Sequence, residues 1–300
     1  MCRHLGVSRS GFYARRLRPI SARSRDDAAL QSFIAQAHEQ SRQRYGSPRV
    51  TKFLQLQGHP VGRGRVARLM RLAGLQGHGN HLFRRKGRTL EFFSAVPNTV
   101  RGQAITRIDQ LWVGDVTYIK VAGQWRYLAV VMDRFSRRVL GWSLGHRRTA
   151  ALTIAAFKQA LRNRRPPPGT YFHSDRGVEY GSRAFKDELK RHGFIQSMNR
   201  PGSMNDNAHM ESFFHSLKIE GLYKQRFDAD NPLRASLRSY LNFYNQQRLH
   251  SSLLYRSPVA FESMHLTQPT VHKIQVSARP QAPLVGALRA SHSGAAYRER

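Results

Sequence analysis

The chain has 300 residues, 40% of them hydrophobic, with 50 Lys and Arg against 18 Asp and Glu and a formal net charge of +32. That hydrophobic fraction supports one main folded domain with smaller pieces, and the charge makes a polyanion, nucleic acid before all others, the expected partner. The single Cys2 excludes a disulfide framework and a Cys-pair zinc site, and with no apolar run of membrane-spanning length and no signal-peptide pattern a cytoplasmic, nucleoid-associated protein is expected.

Residues 1–18 ("MCRHLGVSRSGFYARRLR") read as a short helix, a Gly turn and a second helix N-capped by Ser8 that carries Arg9, Arg15 and Arg16. This is the outline of a partial helix-turn-helix, entered part-way through. Residues 26–79 form a helical DNA-binding region with two apolar patterns, Leu30, Phe33, Ile34 and Ala37 in the first, then Val50, Phe53, Leu54, Val66, Leu69 and Met70 in the second. A small helical core accounts for these apolar residues. The basic residues between them, Arg44, Arg49, Lys52, Arg63, Arg65, Arg68 and Arg71, are candidates for a phosphate-facing side. Residues 80–108 lose periodicity and gain charge, as a basic linker does.

A new organisation starts at residue 109. Three strand-like runs, 111–121, 125–133 and 138–144, have short connections and predict an antiparallel meander. An amphipathic helix over 151–163 ends at Pro166 to Pro168, and "TYFHSD" is a fourth strand. A helix N-capped by Ser182 and stopped at Gly193, a fifth strand "FIQSMN", and a long helix "NDNAHMESFFHSLKIEGLY" follow, with Asn205, Asp206 and Asn207 as its expected caps. The helix over 232–249, with Leu233, Leu237, Tyr240, Leu241 and Tyr244 on one face, reads as core packing or an interface between copies, core packing being the commoner case. The order predicts an α/β domain over 109–263 with a mixed five-stranded sheet and flanking helices, the order of the ribonuclease H-like fold. Residues 264–300 lack periodicity and are expected to be disordered.

Three acids stand out in so basic a chain. Asp115 lies inside a strand with apolar neighbours on both faces, where a carboxylate is costly unless paired or bound to a cation. Asp175 ends the fourth strand before an Arg176-Gly177 turn, in the strand-end crevice where open α/β sheets hold ligands. Glu211 borders the apolar stripe of the long helix. If strands one and four are neighbours and the helix crosses them, the three converge. Three carboxylates within about 4 Å would repel by roughly 4 kcal/mol per pair at an effective dielectric of 20. Two divalent cations remove that repulsion and match the charge balance of a two-metal phosphoryl-transfer site. Each acid also has a structural reading: Asp175 bonding its own turn, Glu211 pairing with Lys218, Asp115 buried and hydrogen-bonded. Asp133, in the second strand, reads as structural, and second-sphere or DNA-contact roles are preferred to metal binding for His173, His209 and His215.

The segments "WVGDVTYI", "YLAVVMDRFSRRVLGW", "FHSDRGVEY", "SMNRPGSMNDNAHMESFFHSLKIE" and "YNQQRLHSSLLYRSPVAFE" resemble the integrase catalytic core of bacterial insertion-sequence transposases of the second-reading-frame DDE group, part of the retroviral-integrase superfamily. The 35 residues between Asp175 and Glu211 match that group's spacing, and the resemblance covers about residues 1–263. It implies Asp115, Asp175 and Glu211 as catalytic metal ligands for two Mg2+ ions, with Mn2+ as a substitute. It implies Lys218 facing DNA from the same side as Glu211, no covalent protein-DNA intermediate, terminal inverted repeats and target DNA as partners, and a homo-oligomer in the synaptic complex. Arg9, Arg15, Arg16, Arg49, Arg65 and Arg68 are the further DNA-binding candidates. The chain departs from the family in starting inside its first helix-turn-helix, in "MND" where Cys-Trp-Asp is common, and in a tail from 267 that matches nothing. An inactive DNA-binding repressor derived from a transposase is therefore the alternative, and a basic RNA-binding or chromatin protein a third reading.

Overall fold

The computed structural model describes residues 6, 8–17, 21–78, 96–200, 207–223 and 225–267. Its N-terminal part is helical: α1 (Arg9–Leu17), α2 (Ala22–Gln40), α3 (Ser47–Leu56) and α4 (Arg63–Leu72). Ser8 does stand at the head of α1, its Oγ accepting the Gly11 N–H at 3.0 Å. The first half of the expected helix-turn-helix lies outside the described residues. The apolar pattern across 50–70 belongs to two helices, because Gly58 and Pro60 interrupt it between Leu56 and Arg63. Leu30, Ile34, Val50, Leu54, Val66 and Leu69 are buried as one group.

The sheet contains β1 (Leu111–Val121), β2 (Gln124–Asp133), β3 (Val139–Gly145), β4 (Tyr171–Ser174) and β5 (Ile195–Met198) in the order β3-β2-β1-β4-β5. β1 to β3 form the expected antiparallel meander, and β4 and β5 add in parallel on the other side of β1. The mixed five-stranded sheet with helices on both faces is the expected architecture. On one face α5 (Ala150–Asn163), α6 (Val178–Gly181) and α7 (Arg183–Arg191) cover Trp112, Phe172, Phe185 and Phe194. Burying side chains of this size contributes about 1.5–3 kcal/mol each. Ser182 caps α7 by accepting the Phe185 N–H at 3.2 Å.

The other face of the sheet, formed by Leu111, Val113, Ile119 and Val121 of β1, packs on α8 (Ala208–Ser216) and α9 (Asp230–Gln246) and through them on the N-terminal helices. Leu233, Leu237, Tyr240, Leu241 and Tyr244 of α9 are all buried, as the stripe predicted. Tyr45 ties the N-terminal helices down: its hydroxyl donates to the Gln247 carbonyl at 3.1 Å and accepts the Leu249 N–H at 2.9 Å.

Four expectations change. The long helix is α8 followed by a π-helical turn, Leu217–Leu222, where a Cβ on Gly221 would fall 2.8 Å from the Tyr240 ring. Asn207 occupies the N-cap position of α8 without bonding the helix, both its side-chain polar atoms being buried and unpartnered, and Asn205 and Asp206 lie outside the described residues. The linker reading holds only in sequence, since residues 96–108 pack on the core: the Thr99 N–H donates to Ser197 Oγ at 3.1 Å and the Met198 N–H to the Pro97 carbonyl at 3.3 Å, covering the edge strand β5. The core does not end at 263 either, because α10 (Pro258–Thr267) runs on, pinned by Glu262 to Ser136 at 2.6 Å and to Arg138 at 2.6 Å. Residues 268–300 lie outside the description.

Candidate active site

β1 and β4 run parallel, and their last paired residues are Gly114 and Ser174. The next residue in each segment is an aspartate: Asp115 is still inside β1, opposite Val130 of β2, and Asp175 lies just past the end of β4, so the two stand side by side at the carboxyl end of β4. Alternation puts Asp115 on the same face as Val113 and Ile119, the face that α8 covers. Both are half-buried. Asp115 Oδ1 accepts the N–H of Val116 at 2.7 Å, and Asp175 Oδ1 accepts the N–H of Gly177 at 3.0 Å. The turn bond foreseen for Asp175 is therefore present and uses one of its two oxygens.

The other oxygen meets Arg148, from the start of the segment leading into α5, with Nη2 3.2 Å from Oδ2. Arg148 also donates through Nε to Glu179 Oε1 at 2.7 Å. The Glu179 side chain is 0% exposed and its Oε2 is buried without a partner. Three carboxylates thus gather around one guanidinium. Burial pushes the Asp115 carboxyl well above its ordinary value, and the Asp175 charge pushes it further. Burial likewise raises Glu179 against the pull of Arg148. Burial opposes the charge on Arg148, but Glu179 and Asp175 outweigh it and hold the guanidinium more firmly protonated than usual. A side chain at Gly177 would crowd this pair, since a Cβ there would meet the ends of the Glu179 and Arg148 side chains.

Glu211 is in the first turn of α8 and exposed, and it is not among the groups that shift Asp115. Among the described residues no three metal-ligating side chains stand together in a metal-binding cluster. The structure therefore brings Asp115 and Asp175 together and leaves Glu211 outside the pair. Lys218 falls inside the π-helical turn and does not continue the phase of α8 from Glu211. Its ammonium lies 4.8 Å from the Tyr118 ring centroid, where burial lowers its pKa and Asp115 opposes that shift.

The other basic candidates divide. Arg65 and Arg68 both bind Asp27, at 2.7 Å and 2.5 Å, and Arg49 binds Glu220 at 3.2 Å, so these three sit in internal ion pairs. Arg9 is exposed on α1; the side chains of Arg15 and Arg16 are outside the description. His173 contacts Ser197 Oγ at 3.0 Å and Asn199 Oδ1 at 2.7 Å in the interior, away from a ligand role. Asp133 is fully buried and accepts from the N–H groups of Asp109 at 2.8 Å and Ser136 at 2.7 Å, the structural role expected of it. The sequence reading missed Arg148 and Glu179. Glu179 follows Asp175 by four residues and was open to notice as a second acid of the same turn; Arg148 carries no local signal.

Residues 106–204 match the integrase core domain family, residues 192–258 match a second integrase core domain profile, and residues 24–80 match an HTH-like domain. The chain is 38% identical over 282 residues to the transposase InsF of insertion sequence IS3A from Escherichia coli K12, covering 89% of this chain and 94% of that one. It is 37% identical over 267 residues to a 31 kDa protein of insertion element IS600 from Shigella sonnei, covering 88% and 98%. Among solved structures it is similar to the HTLV-2 integrase catalytic core domain in complex with magnesium, at 24% identity and TM-score 0.42 over 52% of this chain and 97% of that one. A simian T-cell lymphotropic virus intasome chain matches at 18% identity and TM-score 0.47, covering 85% and 80%.

Proposed function

The chain belongs to the insertion-sequence transposases with an integrase core, and from that premise we propose that Asp115, Asp175 and Glu211 are the carboxylates with which it cleaves and joins DNA strands. It is a DDE transposase, a DNA-binding enzyme that carries out transposition and integration. The observation that carries the residue assignment is the placement of Asp115 and Asp175 one residue beyond the last pair of two adjacent parallel strands.

The donor set fits the divalent metal ions that the family uses. Carboxylate oxygens are the ligands hard divalent cations prefer, Asp115 is held up by burial and by Asp175, and the buried Glu179 Oε2 has no partner. We assign Mg2+, with Mn2+ as a substitute, to Asp115 and Asp175, with Glu211 as the third ligand once α8 presents it. Bound there, the ions supply activation of the attacking hydroxyl and stabilisation of the leaving oxygen in an in-line displacement. The rest of the chemistry belongs to the chain. Arg148 holds Asp175 and Glu179 in place from the sheet side, Gly177 leaves room for that pair, and Lys218 brings a half-buried cation toward Asp115. No side-chain nucleophile is needed, because water and then a DNA 3′-hydroxyl attack in turn.

The N-terminal helices bind the terminal inverted repeats in this reading, with α1 and its exposed Arg9 as the outermost contact. Two ends held together call for more than one copy, so the working species is a homo-oligomer. Among the described residues no helix is long and apolar enough to cross a membrane. The test is Asp115→Asn and Asp175→Asn: each abolishes strand transfer while retaining duplex binding, and strand transfer surviving both would refute the assignment.

A further inference from the structure

α8 borders an open cavity of about 800 Å3 between the N-terminal helices and the core. His209, Ser212 and Ser216 line it, at i, i+3 and i+7 on one helical face. Arg44, Arg49, Arg137 and Arg248 reach it, against the single acid Glu220. That acid is already occupied: Arg248 donates to both its oxygens, at 2.7 Å and 2.8 Å, and Arg49 adds a third contact at 3.2 Å. Among the described residues Arg44 and Arg137 form no ion pair with a carboxylate.

Arg44 is only 9% exposed. Its Nε donates to the Glu220 carbonyl at 2.8 Å and its guanidinium covers the Phe243 ring at 4.4 Å, but its Nη1 is buried with no partner. A buried guanidinium nitrogen left unpaired is costly, and an anion removes the cost. The imbalance shows in the histidines: burial, then Arg137 and Arg134, push His209 down to about 3, and burial, then Arg248, push His250 down to about 2.

We propose that this cavity binds the phosphates of the DNA backbone, as a second DNA contact beside the helix that carries Glu211. The inference rests on the transposase reading above. Guanidinium forks and the hydroxyls of Ser212 and Ser252 are donors suited to phosphate oxygens. The aromatic residues that line the cavity, Phe213 and Tyr244, are buried in the core and present no open face for stacking a base. The contact therefore positions the backbone and does not read sequence.

The test is equilibrium binding of a fluorescein-labelled DNA duplex to the full chain, without metal, across a salt series. Arg137→Gln and Arg44→Met should each reduce the slope of log K against log salt by about 0.9, the value for one lost phosphate contact. The loss should be equal for unrelated sequences, and Arg137→Gln should keep the wild-type melting temperature. Arg44 is packed on Phe243, so Arg137, half-buried at the cavity wall, is the deciding position. A wild-type slope and affinity in a folded Arg137→Gln protein would overturn the proposal. Inorganic phosphate separates the two sources of the anion. If it raises the melting temperature of the wild type and not of Arg137→Gln while the DNA slope is unchanged, the site takes a free anion and the DNA assignment fails. No chemistry is read, so these failures leave strand cleavage standing, whereas a wild type with no salt-dependent DNA binding would take both readings down.

Discussion

Two ionic sites border α8 and carry opposite imbalances. At the sheet end, Asp115, Asp175 and Glu179 face one guanidinium, that of Arg148; at the cavity, Arg44, Arg49, Arg137 and Arg248 stand around one acid, Glu220, whose carboxylate pairs with Arg49 and Arg248. Burial raises the pKa of Asp115 and Glu220 alike. For Asp115 the neighbouring Asp175 adds to it, while for Glu220 the bonds from Arg248 reverse it and leave the group below its ordinary value. The depth of burial is thus a poor guide to what a charged group is for. The sign of the unbalanced charge is the better one: a cation is called for at the sheet end and an anion at the cavity.

The comparison breaks most visibly at the acidic site. Asp115→Asn or Asp175→Asn should lower strand cleavage about a thousandfold or more, the several kcal/mol that metal activation supplies, with duplex affinity unchanged. At the basic site the largest effect is on stability. Glu220→Gln leaves Arg248, whose side chain is 6% exposed, without its charge partner and should destabilise the fold by about 3 kcal/mol, read as a lower melting temperature. Because the folded pKa of Glu220 lies below the ordinary glutamate value, its contribution is complete above that ordinary value and is lost as pH falls through the folded one. Hydrogen exchange in acid should therefore show the N-terminal helices loosening from the core, and Glu220→Gln should remove that part of the pH dependence.

Smaller changes sharpen the contrast. Gly177→Ala places a methyl against the ends of the Glu179 and Arg148 side chains and should cost about 1–3 kcal/mol in a thermal melt by prising Arg148 from its partners. Arg68→Ala removes a half-exposed partner of Asp27 that Arg65 still serves, and should leave the melting temperature close to that of the wild type.

The strands, their order and the neighbouring positions of Asp115 and Asp175 were legible because each rests on a local pattern: apolar runs with turn residues between them, and an acid set against a Gly-containing turn. The cap of α7 by Ser182 and the buried stripe of α9 were legible for the same reason. The Arg148 pair was not, since Arg148 and Glu179 lie 31 residues apart and meet only when α5 docks on the sheet. Nor was the π-helical turn, which depends on Gly221 lying against Tyr240 of a later helix and which takes Lys218 out of phase with Glu211. Residues 96–108 looked like linker because the side chains they pack on the core, Val96, Val100 and Ile105, follow neither a helical nor a strand period, and bonds at Pro97 and Thr99 to the edge strand leave no mark on side-chain pattern. The basic candidates of α3 and α4 looked free for the converse reason: their acid partners, Asp27 and Glu220, lie in distant segments.

Glu211 is the member of the triad that stands outside the aspartate pair, so it carries the most direct test of the account. Purified protein is incubated with a labelled oligonucleotide from the repeat that flanks its own coding region, in Mg2+ or Mn2+, with the wild type beside Glu211→Gln. Metal-dependent nicking and joining at the repeat tip by the wild type, absent in the variant although both bind the end equally, is the result the account predicts. Nicking and joining that persist in Glu211→Gln, or a wild type that binds the end tightly and never cuts it in either metal, would contradict it.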